Sequence, residues 1–205
     1  MAVAAMKGFQ AILRDAETAY LQALIDTPTR TPSFVELPRE WWPDSWFHDG
    51  SARMRPKYVR PHCHLLRAVY GHPDAGAFWE ATLTAIMQQQ GWTTVPGSGS
   101  VFLHQPSHAI CVVYVDDMLL LARPKDAGKL WRALESKVHF KDPEQPLTRY
   151  LGARYRFDEF NANKPNAVRK VMTDIDEYAI NAVNKFKQEY ARTLHKVSSP
   201  YITNE

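Results

Sequence analysis

The sequence predicts an α+β fold, an antiparallel sheet with packed helices, and three observations carry that prediction. The apolar runs Ala109-Ile-Cys-Val-Val-Tyr-Val and Met118-Leu-Leu-Leu-Ala are separated by only Asp116-Asp117, the spacing of a tight β-hairpin with both acids at its tip. Helical and strand-length segments alternate along the chain. Near the C-terminus, Ile175, Tyr178, Ala179, Ala182, Val183, Phe186 and Tyr190 recur at spacings of three and four, the period of an amphipathic helix.

Taken in order, Phe9 to Leu13 is a mostly apolar run that stops at Arg14-Asp15, and Glu17-Thr-Ala-Tyr-Leu-Gln-Ala-Leu follows with good helix formers. This predicts a strand feeding a helix, with Asp15 at the junction. From Thr27 to Pro61 the pattern dissolves among Pro28, Pro32, Pro38, Pro43, Pro56 and Pro61, a long connection with one short strand near Phe34 to Leu37. Trp41, Trp42 and Trp46 are expected to cover the core beneath it. A second helix is predicted to start at Pro73-Asp74 and to stop at Gly91, with Phe78, Ala81, Ala85 and Ile86 on its apolar face. Pro96 to Ser100 reads as a loop and Val101 to His104 as a strand. Beyond the hairpin, Lys125 to Val138 reads as a surface helix, His139 to Lys141 as a strand fragment and Thr148 to Phe157 as a strand containing Gly152. Thr173 and Asp176 stand like a variant capping box before the last helix.

At 205 residues, 45% hydrophobic, with charges of both signs and a net charge of +3, the chain has the makeup of one folded core with a smaller appendage, not of a disordered protein. The mild basic excess permits a nucleic-acid partner without demonstrating one. Cys63 and Cys111 have no CxxC spacing, as expected of core thiols in a reducing compartment. No run approaches the roughly 18 apolar residues of a membrane span, and the N-terminus lacks a signal pattern. A soluble, unsecreted protein without a membrane partner is expected.

The carboxylates have two readings. Adjacent acids flanked by apolar strands repel each other, and a divalent cation relieves that repulsion. With a third oxygen ligand from Asp15 they would make a hard-cation site suited to two-metal phosphoryl transfer. Alternatively, Asp-Asp is good turn chemistry and Asp15 is an N-cap for the helix that follows. The residue pattern alone leaves both open.

Four ordered segments resemble the reverse transcriptase of Ty1/copia-type LTR retrotransposons, over nearly the whole chain. Asp15-Ala-Glu-Thr-Ala-Tyr-Leu-Gln resembles the first catalytic segment. Leu66-Arg-Ala-Val-Tyr-Gly, continuing to Ala75 and Trp79, resembles the segment leading into the helix beneath the incoming nucleotide. Val113-Tyr-Val-Asp-Asp-Met-Leu resembles the catalytic hairpin, and Phe140-Lys-Asp with Tyr150-Leu-Gly resembles its sequel.

The resemblance implies a polymerase palm with partial fingers over residues 1–170 and the start of a thumb over 171–205. It implies RNA-directed DNA polymerase activity, in which a primer 3′-hydroxyl receives deoxynucleotides. Asp15, Asp116 and Asp117 would be catalytic, and together with the Ala16 carbonyl they would hold two Mg²⁺ ions, with Mn²⁺ as a substitute. Tyr20 would be the gate against a 2′-hydroxyl. Tyr70, Gly71 and Tyr114 would line the nucleotide site, and Tyr150, Leu151 and Gly152 would form the turn that holds the primer end and contacts the primer. The implied partners are an RNA or DNA template-primer, deoxynucleoside triphosphates and other segments of a parent polyprotein, in the cytoplasm or a virus-like particle.

Two departures stand beside this. His72-Pro73-Asp74 replaces the family's leucine-lysine-glutamine stretch after the Tyr-Gly, and the upstream fingers, integrase and ribonuclease H segments are expected to lie outside this sequence. They leave open a catalytically inactive remnant that folds and binds nucleic acid. A metal-dependent phosphodiester hydrolase has less support, since no activating histidine stands near Tyr114-Val115-Asp116-Asp117. The run Arg53, Arg55, Lys57, Tyr58, Arg60 and Arg67 could follow a phosphate backbone or form a solvated loop. His62-Cys63-His64 lacks a second ligand pair at zinc-finger spacing.

Overall fold

The computed structural model describes residues 8–25, 31–48, 55–160 and 168–190, so Pro28 and Arg53 lie outside the described residues. The fold is α+β, with antiparallel sheets and four helices among those residues. The chain divides into two compact units, one of Gln10–Gln145 and one of Met1–Phe9 with Pro146–Glu205; the boundary expected at 170/171 falls inside the second.

The sheet of the first unit has the strand order β4-β5-β6-β7-β1-β8. Its centre is the pair β6 (Ala109–Tyr114) and β7 (Asp117–Ala122), with β1 (Gln10–Asp15) antiparallel to β7. On the other side β5 (Ser98–His104) pairs with β6 and with β4 (Thr93–Val95), and β8 is the short strand Gln145–Pro146. β4 is a strand the sequence reading did not anticipate. The stretch read as a loop is a hairpin turn at Pro96-Gly97, with Gly97 at φ 80°.

Alternation along the strands separates two faces. Ile12, Phe102, Cys111, Val113, Met118, Leu120 and Ala122 join one buried cluster with residues of both long helices, α2 (Ala75–Gln89) and α3 (Pro124–Glu135). Asp15 and Asp117 fall on the opposite face.

Helix α2 begins after Asp74 and ends in a Schellman motif. Gly91, at φ 83°, donates its N–H to the Gln88 carbonyl, and Trp92 N–H donates to the Met87 carbonyl. The buried Trp92 and Met87 provide the hydrophobic contact that accompanies this cap. The buried stripe of α2 is Ala75, Phe78, Trp79, Leu83 and Met87. Of the expected face, Phe78 is buried and Ile86 packs against the core, but Ala81 and Ala85 are exposed, because rows at i+4 face the sheet and two alanines give no directional signal. Helix α3 buries Ala127, Leu130, Trp131 and Leu134, close to its expected span.

The helix expected after Asp15 shrinks to one turn, α1 (Ala19–Gln22), with Thr18 at its N-terminus in the left-handed region at φ 46°. Asp15 is the last residue of β1 and not an N-cap. Phe34–Glu36 (β2) pairs with His62–His64 (β3), near the expected short strand. The tryptophans do not cover the main core. Trp42, Trp46, Phe47 and Tyr58 form their own aromatic cluster within the connection, and Trp41 is 72% exposed.

In the second unit, the single strand expected over Thr148 to Phe157 is a hairpin of β9 (Arg149–Tyr150) and β10 (Ala153–Phe160), and β10 pairs in turn with β11 (Val168–Asp174). Leu151 and Gly152 form the turn, both at positive φ (48° and 78°), as a two-residue type I′ loop requires. Thr173 belongs to β11 and does not cap α4 (Asp176–Tyr190). The first turn of α4 is tied down through Glu177, which accepts from Arg149 and Arg154. The apolar residues Tyr178, Val183, Phe186 and Tyr190 of α4 are exposed. No helix among the described residues is long and apolar enough to cross a membrane.

Candidate active site

The site is built at one end of the β1-β7-β6 ribbon. The hairpin turn comprises Val115 and Asp116, since Tyr114 and Asp117 are already register partners. The expected tip of Asp116-Asp117 is thus one residue too late. Asp117 begins β7, and on its other side it is the register partner of Asp15. Directly opposed residues of an antiparallel pair project to the same face with Cβ atoms about 4.5–5.5 Å apart. The two acids therefore stand side by side on neighbouring strands, with Asp116 one residue away.

Backbone bonds fix this corner. Ala16 N–H donates to the Asp116 carbonyl at 2.8 Å, so the polar edge of Ala16 faces the turn. On the far side of β1, Lys141 N–H donates to the Asp15 carbonyl at 3.0 Å and Glu17 N–H to the His139 carbonyl at 2.9 Å. The strand fragment expected at His139 to Lys141 reduces to a single bridge between Phe140 and Ala16. Gln22 reinforces it, donating to the Glu17 and His139 carbonyls and accepting from His139 N–H.

The turn itself is strained. Val115 has φ 56°, a conformation that a β-branched residue rarely adopts. Its carbonyl accepts a 2.6 Å hydrogen bond from Trp79 Nε1–H on α2, which anchors the turn to the helix. Arg14, pointing away from the acids, pairs with Glu135, donates to the Asp142 carbonyl through Nε and Nη2 and lies 4.3 Å over the Phe140 ring. Neither Trp79 nor Arg14 was assigned a role from the sequence. Their signal is tertiary, because each acts on a segment distant along the chain.

Electrostatically the corner is crowded with negative charge. Burial, then the neighbouring Asp116, pushes the Asp15 carboxyl above its ordinary range, with Asp142 adding to the rise and Lys141 opposing it. Asp117 is likewise raised by burial, then by Asp116 and Asp15. Tyr70 is raised by burial and then by Asp116, Tyr20 and Asp15. These couplings bring Tyr70 and the three acids into one neighbourhood. The Tyr20 and Tyr70 rings meet at 4.8 Å.

Gly71 lies in the turn beyond Tyr70 at φ 95°, and Tyr114, the last residue of β6, is exposed. Tyr150, Leu151 and Gly152 belong to the second unit, where they end β9 and form its turn. His72 has a local role: Nδ1 accepts from Asp74 N–H at 3.1 Å, which leaves Nε2–H to donate to Ser33 Oγ at 3.2 Å. Of the basic run, Arg60 pairs with Glu36, Lys57 donates to the Ser45 carbonyl and Arg67 to those of Leu21 and Gln22. These cations brace the connection.

The donor set at the corner is all oxygen, which suits a hard divalent cation more than zinc. Among the described residues no three His, Cys, Asp or Glu side chains are grouped so as to hold a metal between them, His62-Cys63-His64 included. The acids are neighbours and not a closed cage. Comparison with protein-family models gives no match, and comparison with curated proteins gives none either.

Proposed function

We propose that the chain is the palm of an RNA-directed DNA polymerase of the Ty1/copia LTR-retrotransposon type, with partial fingers and the start of a thumb. The observation that carries this reading is the register pairing of Asp15 with Asp117 on neighbouring strands, with Asp116 in the adjoining turn. Such a constellation costs stability through like-charge repulsion, and acids kept together at that cost suit a cation-dependent reaction.

Asp15, Asp116, Asp117 and the Ala16 carbonyl would hold Mg²⁺, with water and substrate phosphates as the remaining ligands. Bound there, the metal supplies activation of the primer 3′-hydroxyl and neutralisation of charge on the phosphoryl oxygens. The protein's own part is positioning. Tyr20 and Tyr70 stack into a platform for the sugar of a deoxynucleoside triphosphate, where Tyr20 excludes a 2′-hydroxyl. Gly71 and Tyr114 complete the nucleotide site, and Trp79 holds the turn so that Asp116 and Asp117 keep their register. Tyr150, Leu151 and Gly152 would contact the primer of an RNA or DNA template-primer. Other segments of a parent polyprotein, within a virus-like particle, are the further partners this reading implies.

Primer extension on an RNA template with Mg²⁺ tests the proposal. Extension by the parent chain and its loss in Asp116→Asn are expected; a folded parent chain that extends nothing refutes catalysis by this chain. One observation favours the inactive-remnant reading. Where the family has a lysine and an amide, His72 is consumed by Ser33 and Asp74, leaving no cation there for a triphosphate. Template-primer binding without extension would support that second reading.

A further inference from the structure

We propose that the cavity beside the hairpin turn binds a planar aromatic molecule carrying one cationic group, an amidine or a primary amine. The inference goes beyond the polymerase reading: the cavity shares Tyr20 and Tyr114 with the nucleotide site proposed above, but the inference rests on the cavity's own shape and charge. The cavity measures about 290 Å³. Trp79, Leu83 and Phe102, all nearly fully buried, form its apolar floor, and the Tyr20 and Tyr114 rings border it. This size is at the low end for ligand pockets, about 300–1,000 Å³, and fits a one- or two-ring molecule.

The charge of the lining selects among such molecules. Among the described residues, Glu80 is the one carboxylate on the wall, and no Lys, Arg or His lines the cavity. A phosphate or carboxylate ligand would find hydroxyls at Thr84 and Ser100 but no counter-charge on this wall, and would face Glu80. A cation would pair with Glu80 while its ring lies among the aromatic side chains, which attract cations as well as apolar surface.

Position 99 lets this carboxylate sit where it does. A Cβ at Gly99 would fall 2.7 Å from Glu80 Oε1, so the carboxylate takes up space against the β5 backbone that glycine leaves free and that a methyl group would make it give up. The backbone of Gly99 is not at positive φ, so alanine is conformationally allowed there and its effect is confined to pushing the Glu80 side chain aside.

The cavity also contains its own reporter. Val115 and Trp79 both line it, and the Trp79 indole N–H is bonded to the Val115 carbonyl. A ligand on this wall changes the surroundings of that indole proton.

The test is a two-dimensional ¹H–¹⁵N NMR titration of the full chain with benzamidine and with tryptamine. The chain has six tryptophans, and the Trp79 indole resonance is the one lost in Trp79→Phe. Saturable movement of that resonance with both cations, and none with benzoate, is expected. Glu80→Gln should weaken binding about tenfold, the scale of a hydrogen bond to a charged group, and Gly99→Ala should do the same with a native-like spectrum. The proposal is overturned if neither cation binds, if benzoate binds equally, if the Trp79 resonance does not move, or if both variants bind like the parent. No nucleotide or template enters the measurement, so failure of polymerase activity and failure of this site are read separately.

Discussion

Replacing Asp117 by Asn should stabilise the metal-free chain at neutral pH. Asp117 and Asp15 are cross-strand partners; burial and then Asp116 raise both carboxyls, and Asp15 raises Asp117 further. Two unit charges about 5 Å apart repel by about 0.8 kcal/mol in water and about 3 kcal/mol at an effective dielectric near 20. For half-buried acids the relief is about 1–2 kcal/mol, or about 2–8 °C in Tm for a chain of this size. The pH dependence has a definite sign. Because the folded-state pKa of Asp117 lies above its ordinary 3.8, the folded chain binds more protons than the unfolded chain between the two values. The contribution of Asp117 to stability therefore falls as pH rises through that window and levels off above it. The gap between the Asp117→Asn and parent chains should vanish near pH 3 and be complete by pH 7. Mg²⁺ should act in the opposite sense, stabilising the parent by about 1.4 kcal/mol at tenfold excess over its Kd and the Asp117→Asn chain by less. Thermal unfolding followed by circular dichroism from pH 3 to 8, with and without Mg²⁺, measures all three. An Asp117→Asn chain less stable than the parent at pH 7, or a gap independent of pH, would refute the charge-crowding argument.

Arg14→Ala should cost about 2–3 kcal/mol in urea unfolding, since it removes a cation stacked on Phe140 and bonded to the Asp142 carbonyl and Glu135. Arg14→Lys should recover less than half of that, because a lysine cannot reproduce the planar fork. Leu151→Asn should stabilise the second unit by about 1 kcal/mol in the same urea unfolding, because Asn tolerates the left-handed backbone that Leu151 occupies at φ 48°. Burial pushes the Cys111 thiol up to about 12, so at pH 8 a thiol reagent should modify the half-buried Cys63 first and reach Cys111 only as the chain unfolds.

How much was legible in the sequence depended on whether a segment's partners were close along the chain. The β6-β7 ribbon, the end of α2 at Gly91 and the span of α3 follow from local pattern, because continuous apolar runs and a glycine stop need no distant partner to be read. β4 was missed because Thr93-Thr-Val is short and half polar, and it becomes a strand only through pairing with Phe102 and Leu103 of β5. At Leu151-Gly152 the residue pattern alone gives one continuous strand, because a leucine stands where asparagine is the usual turn signal; only the family resemblance implied a turn there. The aromatic cluster of Trp42, Trp46, Phe47 and Tyr58 is assembled from both ends of the connection, and no periodicity announces it.

The one-residue error at the hairpin tip has the largest chemical consequence. With Asp116-Asp117 as the turn, both acids would lie on the loop and only their flexibility would bring them together. With Val115-Asp116 as the turn, Asp117 is held in strand register between Tyr114 and Asp15, and the Ala16 N–H fixes the Asp116 carbonyl. That shift forces a β-branched residue into the left-handed region, a strain of order 1–3 kcal/mol. The Trp79 hydrogen bond to the Val115 carbonyl offsets part of it. Spacing between apolar runs can locate such a hairpin, but it cannot choose between the two registers. The register found is held by partners distant along the chain, β1 beside β7 and a tryptophan 36 residues before Val115, so the geometry of the acids is a property of the packed unit and not of the local sequence.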